Sequence, residues 1–530
     1  MGACSSKPAS PNNPRASIGL IICADRKSAD IVRRMREAGA NFFLCPSGGM
    51  FGPQVNDPIL QARSRENSVH IIFVHAAEFL VTGPDGSVLS QSVLGDRLLV
   101  RPDEVGSAAD RNRVYYFDMP LSAPAGAAYY PSPDVQGGWR TRTDENELRP
   151  AGIDKRKLDE AFDYIQTTSK NGGLLVLHKG WLVYERYFGK GHRDALANLA
   201  SCGKSFTSIA VGILMAERPE LFADGLDQKI FTPRFFPPEA FPLSDPRKAD
   251  IKLGQLLTFS AGIRGNNPGY VMGKEVTLTP AGPDGAPAVV DDIAMGKRDT
   301  LLARGQPISA TTLWCEPGGG YSYATASIHL ASIMLRHVTG RELQDYVDEK
   351  LARPLGWGRW TYAYKTAKEV THTPGGGGIA LRATDMLRFG YLLLHDGRWQ
   401  ERQIVPAEYI RHCRSQSPYN PHYPYSLQFN VNTRGENPEL PRDAFWKSGS
   451  GGHCLYVVPS ADLVVWKLGG RDEQYSPANT GLPVLPHVQA AQQARPADAS
   501  AKPGRDPAAD PAVYPKTLRM VLDSLEGRAK

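Results

Sequence analysis

Ser201-Cys202-Gly203-Lys204-Ser205-Phe206-Thr207-Ser208-Ile209-Ala210-Val211-Gly212-Ile213-Leu214 reads as the opening of an apolar helix with two reactive side chains at its start. The spacing places the Ser201 hydroxyl in the first turn and the Lys204 ammonium one turn later on the same face. Phe206, Ile209, Val211, Ile213 and Leu214 supply the apolar body. A serine becomes a nucleophile when a base lies within hydrogen-bond reach, and a buried lysine can serve when desolvation and positive neighbours depress its pKa. The helix N-terminus also favours negative charge developing on the attacked oxygen. Taken alone, the four residues also fit a serine cap followed by a solvated lysine, so the reading depends on the rest of the chain.

Two further segments carry matching chemistry. Tyr323-Ala324-Thr325 follows the loop Pro317-Gly318-Gly319-Gly320 and precedes a helical pattern containing Ile328, Leu330 and Leu335. A phenol held at a loop-to-helix junction can accept or relay a proton if lysines stabilise its phenolate. Lys447-Ser448-Gly449 is followed by Ser450-Gly451-Gly452 and a strand pattern over Leu455 to Val458. Small residues there let backbone N–H groups approach a substrate carbonyl as an oxyanion hole. Each piece also has a structural reading, Lys447 as a strand-edge charge and Tyr323 as a packed aromatic. His453 is read as a neutral, hydrogen-bonded strand histidine, and Cys202 as a packing residue.

In the order Ser-x-x-Lys, Tyr-x-Thr, Lys-Ser-Gly the chain resembles the serine β-lactamase and penicillin-recognising superfamily. The likeness is to the class C-like branch with family VIII carboxylesterases and 6-aminohexanoate-oligomer hydrolases. Leu256-Leu257-Thr258-Phe259-Ser260-Ala261-Gly262-Ile263 and Arg353-Pro354-Leu355-Gly356-Trp357 extend it, over roughly Ala151 to Lys530. The resemblance implies an α/β (α+β) fold in which an antiparallel sheet flanked by helices stands beside a mostly helical subdomain. It implies Ser201 as the acylated nucleophile, Lys204 and Tyr323 as the proton-transfer pair, and Lys447 as the lysine that orients substrate. Ser448, Gly449, Ser450 and Thr325 would complete the substrate and oxyanion site, with N–H groups of Ser201 and Ser450 or Gly451 on the oxyanion. Thr325 stands where the family has Asn and Ser448 where it has Thr, and the first change weakens a claim to β-lactam hydrolysis. The expected reaction is acyl transfer from a carboxylic ester or amide without a cofactor. The alternatives are a D-aminopeptidase or β-lactamase-type amidase, and a catalytically weak penicillin-binding-like binding or scaffold protein.

Other hydrolase and nucleotide readings fail on the residues. No Gly-x-Ser-x-Gly elbow occurs. The runs Gly318 to Gly320 and Gly375 to Gly378 lack a following Lys-Ser/Thr and read as tight loops rather than phosphate cradles.

The N-terminal region reads as a β-α-β unit: a strand over Ile18 to Cys23, a helix over Ala29 to Ala38 and a strand over Ala40 to Cys45. Strand patterns follow at Val69 to Val74, Glu78 to Val81 and Val88 to Leu94. Gly19-Leu20-Ile21-Ile22-Cys23-Ala24-Asp25-Arg26, Gly39-Ala40, Pro46-Ser47 and Ala62-Arg63-Ser64-Arg65-Glu66-Asn67 resemble the C-terminal half of a nitrilase-superfamily domain. By that likeness Cys23 sits where the family has its thiol nucleophile. The family's Glu and Lys precede that Cys, and only twenty-two residues do so here, so Cys23 is expected to be vestigial. A homodimer through this segment is the partner it suggests. The expected organisation is a tail over 1–16, the partial nitrilase-like segment over 17–121 and a Pro/Gly/Ala-rich linker over 122–150. The hydrolase domain then fills 151–530, with a flexible insertion at about 486–511 and a terminal helix at 515–526.

At 530 residues, 41% of them hydrophobic, the chain is long enough for two or three globular cores. Lys and Arg number 61 against 55 Asp and Glu, and this +6 balance is spread without a basic run, so no nucleic-acid partner is expected. No apolar run reaches the length of a membrane span, and Met1 to Pro11 lacks a secretory h-region, so a soluble cytoplasmic protein is expected. Met1-Gly2-Ala3-Cys4-Ser5-Ser6 matches an N-myristoylation pattern. In a eukaryotic cell Gly2 and Cys4 could carry two acyl chains, while an unmodified tail is the plainer reading. The seven cysteines form no C-x-x-C and fit a reducing compartment, and no His-Glu-x-x-His occurs, so no structural or catalytic metal is expected.

Overall fold

The computed structural model describes residues 18–40, 42–48, 52–75, 78–93, 129–243, 245–266, 268–278, 302–303, 306–307, 313–362, 372–495 and 510–525. The chain divides into two compact units, Met1–Tyr129 and Tyr130–Lys530. Gly2 and Cys4 lie outside the described residues. No helix among the described residues is long and apolar enough to cross a membrane.

The first unit is built on a five-stranded sheet. Ile18–Leu20, Phe42–Ser47 and His70–His75 run parallel, and Glu78–Thr82 and Val88–Val93 add antiparallel strands. Alternation sorts its faces. Ile21, Phe43, Cys45, Ile71, Phe73 and Leu80 form a buried core with Val32 and Leu60 from the helices Ala29–Glu37 and Pro53–Asn67. Ile18, Leu20 and Val74 point the other way and are exposed. The helix Pro53–Asn67 carries no sharp amphipathic period and an internal Pro58, so it was not legible as a helix.

The second unit carries a seven-stranded antiparallel sheet. Its spatial order is Tyr425–Ser426, Phe429–Val431, Phe445–Gly449, His453–Val458, Leu463–Leu468, Gly172–His178 and Trp181–Phe188. The hairpin Gly172–His178 with Trp181–Phe188 arises early in the chain yet completes the edge of a sheet whose other strands come from the end. One face packs on the helix Ala383–Leu394. The other buries Leu174, Val176, Tyr456 and Val465 against Leu158 and Phe162 of the helix Lys155–Gln166 and Leu518 and Val521 of the terminal helix Val513–Leu522. The expected terminal stripe is thus seated on the sheet, with Leu525 packed at its margin. A helical region holds the apolar helix Gly203–Glu217 against the helix Thr325–Thr339.

Two expected boundaries change. From Tyr130 onward the segment read as linker is bound into the second unit. The fully buried Arg388 donates to the carbonyl of Pro131 at 3.1 Å and to Asp134 at 2.8 Å, and Trp139 Nε1 donates to the Thr384 carbonyl at 3.2 Å. The expected flexible insertion begins instead with a helix, Pro486–Ala494, which buries Val488 and is tied down by Gln492 donating to the Lys190 carbonyl at 2.7 Å. Composition misses both because the anchoring partners lie hundreds of residues away.

Candidate active site

The strand Ala197–Asn198 leads into a single tight turn, Ala200–Cys202, and then into the helix Gly203–Glu217. Ala200 is held at a φ of 48°, a conformation disfavoured for a residue with a Cβ, and its N–H is satisfied by Asn198 Oδ1 at 3.0 Å. This bend places Ser201 on the wall of a cavity of about 550 Å³. The helix behind it is buried from Gly203 to Leu214, so Lys204 is carried inside with only 2% of its surface exposed. Lys204 Nζ donates to Ser201 Oγ at 2.9 Å and to the Gly376 carbonyl at 2.6 Å. The glycine run read as a tight loop therefore aims a carbonyl at the lysine.

Tyr323 arrives from the start of the helix Thr325–Thr339. The Asn266 N–H bonds the Tyr323 carbonyl at 3.1 Å, and Ser322 Oγ accepts from Gly265 N at 2.9 Å. Gly265 must be a glycine here, since a Cβ would stand 2.3 Å from the Tyr323 carbonyl oxygen. Burial pushes the Tyr323 phenol well above its ordinary pKa, and its hydrogen bond with Ser201 works in the opposite sense. Both ammonium groups stand over its ring, Lys204 at 5.2 Å and Lys447 at 5.0 Å from the centroid.

Lys447 lies on the strand Phe445–Gly449, almost fully buried. Its Nζ donates to the hydroxyl of Tyr425 at 2.6 Å and to that of Tyr323 at 3.2 Å. Burial first, and the charge of Lys204 second, hold its pKa well below the usual lysine value. Lys447 is thus neither a surface charge nor a lining group of the cavity; it holds two phenols from beneath. Tyr425 in turn donates to Gln428 Oε1 at 3.0 Å, and Gln428 is fastened to the Leu257 carbonyl at 2.7 Å.

Ser448, Gly449 and Ser450 line the cavity beside Ser201. Gly449 packs so closely on the turn carrying Ser201 that a Cβ would lie 2.3 Å from the Leu199 carbonyl oxygen. Gln474 Nε2 donates to the carbonyls of Asn198 at 2.8 Å and Ser450 at 3.1 Å, coupling the two stretches that border Ser201. Thr325, at the start of its helix, is not among the residues of this wall, whereas Asn266 is. Cys202 is fully buried, its Sγ donates to the Lys447 carbonyl at 3.5 Å, and burial pushes its thiol up to about 12. His453 is buried between the Gly469 N–H, 3.1 Å from Nδ1, and Gln474, 3.2 Å from Nε2, as a structural histidine. Tyr321, Tyr423, Tyr425, Trp446 and Tyr514 give the cavity an aromatic lining, and Glu436 is its one formally charged lining residue among those described.

In the first unit Cys23 follows the end of the first strand with a φ of 47°. Bonding from Ser47 is the largest influence lowering its pKa, with Arg26 adding to it. The buried Arg26 also donates to the Cys23 carbonyl and, at 2.9 Å, to Asn56 Oδ1. None of these partners is a general base.

A helix-borne Ser-x-x-Lys beside an antiparallel sheet defines the class of penicillin-recognising serine hydrolases. The chain belongs to the Beta-lactamase family, whose model matches residues 160–481, more than half its length. Among solved structures it is similar to a Bacillus anthracis protein assigned as a 6-aminohexanoate-dimer hydrolase. Identity there is 21% over 69% of this chain and 88% of that one, with a TM-score of 0.46. It is also similar to EstCE1, a hydrolase with promiscuous acyltransferase activity, at 18% identity over 61% and 96% of the two chains and a TM-score of 0.44. A D-stereospecific amidohydrolase from Streptomyces sp. matches at 16% identity over 62% and 98%, with a TM-score of 0.42. No curated protein sequence matches the chain.

Proposed function

We propose that this hydrolase acts on a carboxylic ester with an apolar or aromatic portion, through an acyl-enzyme on Ser201. The observation that carries the proposal is Lys204 Nζ 2.9 Å from Ser201 Oγ in a buried setting that opens on an aromatic cavity. Lys204 acts as the free amine: Ser201 Oγ attacks the carbonyl carbon as its proton passes to Lys204 Nζ, which then reprotonates Tyr323 after the phenol has given its own proton to the leaving group. The oxyanion is held by the N–H groups of Ser201 and Ser450. Tyr323 protonates the departing alkoxide, and water then repeats the sequence on the acyl-enzyme to release the acid.

The ester is favoured over a β-lactam or a peptide carboxylate by charge. Lys447 already donates to two phenols and does not line the cavity, and among the described residues the lining itself carries no Lys or Arg, Arg471 reaching only Ser450 Oγ at 3.4 Å. Thr325, where the resemblance implies an amide-binding Asn, is absent from the lining as well. Turnover of a panel of p-nitrophenyl esters, nitrocefin and aminohexanoate dimer by wild type and Ser201→Ala tests this reading. Ester turnover that exceeds turnover of the other two and vanishes in the variant supports it, and preferential nitrocefin turnover overturns it. The first unit is read as a vestigial nitrilase-like half whose exposed Ile18, Leu20 and Val74 offer a second copy a surface, which sedimentation of the full chain tests.

A further inference from the structure

We infer that His192, Asp194 and His487 form a binding site for a transition-metal dication of the zinc type. It would clamp the helix Pro486–Ala494 onto the turn that follows the strand Trp181–Phe188. One ligand atom from each of the three side chains lies within 4.8 Å of the others. Tetrahedral zinc with donors at ~2.0 to 2.2 Å sets its ligand atoms roughly 3.3 to 3.6 Å apart, so closure needs movements of about an ångström. His487 Nε2 is hydrogen-bonded to Asp194 Oδ2 at 3.0 Å, a contact that metal binding would open by a few tenths of an ångström. The His487 side chain is 57% exposed, which leaves it free to adjust and leaves water a remaining coordination position.

The turn is built to present these groups. The Asp194 N–H bonds His192 Nδ1 at 3.1 Å, a bond that a metal ion on Nδ1 would displace, and the Ala195 N–H bonds the His192 carbonyl at 3.1 Å, closing a compact loop with both side chains on it. Arg382 lies 3.4 Å from Asp194 Oδ1, but this guanidinium is shared with Asp385 at 2.8 Å and Asp134 at 3.2 Å. It therefore orients Asp194 through one oxygen and leaves the other facing His487, the second-layer support that metal-bound carboxylates use. Arg193 bonds Glu185, and Arg495, the cation beside the turn, donates to the carbonyls of Gly189 at 2.8 Å and Gly191. Two imidazoles and one carboxylate suit zinc, cobalt or nickel rather than calcium or magnesium.

The clamp would bear on the proposed catalytic wall. Between the strand Leu463–Leu468 and His487 the chain carries Gln474 and Asn479, which bond the backbone and side chain of Asn198 next to the nucleophile turn. Full-length protein stripped with EDTA can be titrated with zinc against a chromophoric chelator, with cobalt as a spectroscopic probe and thermal melting as a second readout. We expect one zinc per chain, affinity at least about tenfold weaker in His192→Ala and in His487→Ala, and a zinc-induced rise in melting temperature that the double variant lacks. Neither histidine lines the catalytic cavity, so both variants keep zinc-free ester turnover. Zinc affinity equal in wild type and the double variant, or no uptake by wild type, would overturn the site.

Discussion

At the scale of single residues the site is a pair of buried lysines sharing phenols and a serine. Ser201→Ala removes one oxygen and no core volume, so it should lower ester turnover by several orders of magnitude with unchanged circular dichroism. Lys204→Ala should be nearly as damaging because the two act as a unit. A Ser201→Ala enzyme that kept a substantial fraction of wild-type kcat would remove the assignment. Tyr425 gives a sharper test. It accepts the shortest bond of Lys447, whose other phenolic partner is Tyr323. Tyr425→Phe should lower kcat about tenfold with KM little changed, the size expected for one charge-assisted hydrogen bond that holds a reacting group in place. Equal kcat for Tyr425→Phe and wild type would show that Lys447 positions Tyr323 without it. The types of the reacting residues were legible in the sequence, because Ser-x-x-Lys is a local pattern on one helix face. Tyr425 was not, since an aromatic in a tyrosine-rich loop carries no local mark of the lysine it will meet.

At the scale of elements the strand Leu463–Leu468 and the terminal helix show how the sheet is held. Burial pushes the Lys467 ammonium down to about 8, while its Nζ donates to the Gly452 carbonyl at 2.6 Å. In the unfolded chain a lysine titrates near ~10.4. Below pH 8 both states carry the proton and the native state bears the whole burial penalty. From there up to ~10.4 only the unfolded chain holds it, so stability rises with pH. That rise is about 3 kcal/mol for this group, and Lys467→Met should lack it. Urea unfolding of both proteins near neutral pH and near the lysine pKa measures the difference, and parallel pH dependences would refute it. Leu518, Val521 and Leu522 of the terminal helix are buried against the sheet. At about 1.5 to 3 kcal/mol each they match much of a domain's net stability. Deleting Val513–Lys530 should therefore give insoluble or inactive protein, and a deletion that melts and turns over like wild type would show the helix to be dispensable. Its i, i+3, i+4, i+7 stripe was readable in advance. The helix Pro486–Ala494 was not, since one buried valine and distant backbone acceptors hold it.

At the scale of the whole molecule the two units have separate cores, one around Phe43, Ile71 and Leu80 and the other around Val176, Tyr456 and Leu518. The proposed catalytic residues all belong to the second. Tyr130–Lys530 expressed alone should therefore retain ester turnover close to that of the full chain, and Cys23→Ala in the full chain should leave it unchanged. Loss of most activity in the isolated second unit would assign the first a part in catalysis, and loss in Cys23→Ala would make that part chemical.

The sequence by itself determined the reactive side chains of the proposed acyl-transfer site and the helices that carry them, because periodicity and spacing act over a few residues and need no distant partner. It also separated an N-terminal α/β segment from the larger one, through alternating strands and a change of composition. Only the tertiary structure decided that Lys204 meets the Gly376 carbonyl 172 positions away, that Lys447 serves phenols instead of lining the cavity, and that His487 meets Asp194 across 293 positions. Those pairings depend on how the early hairpin closes the late sheet and on which helix ends face one cavity, and long-range geometry of that kind leaves no periodic trace along the chain.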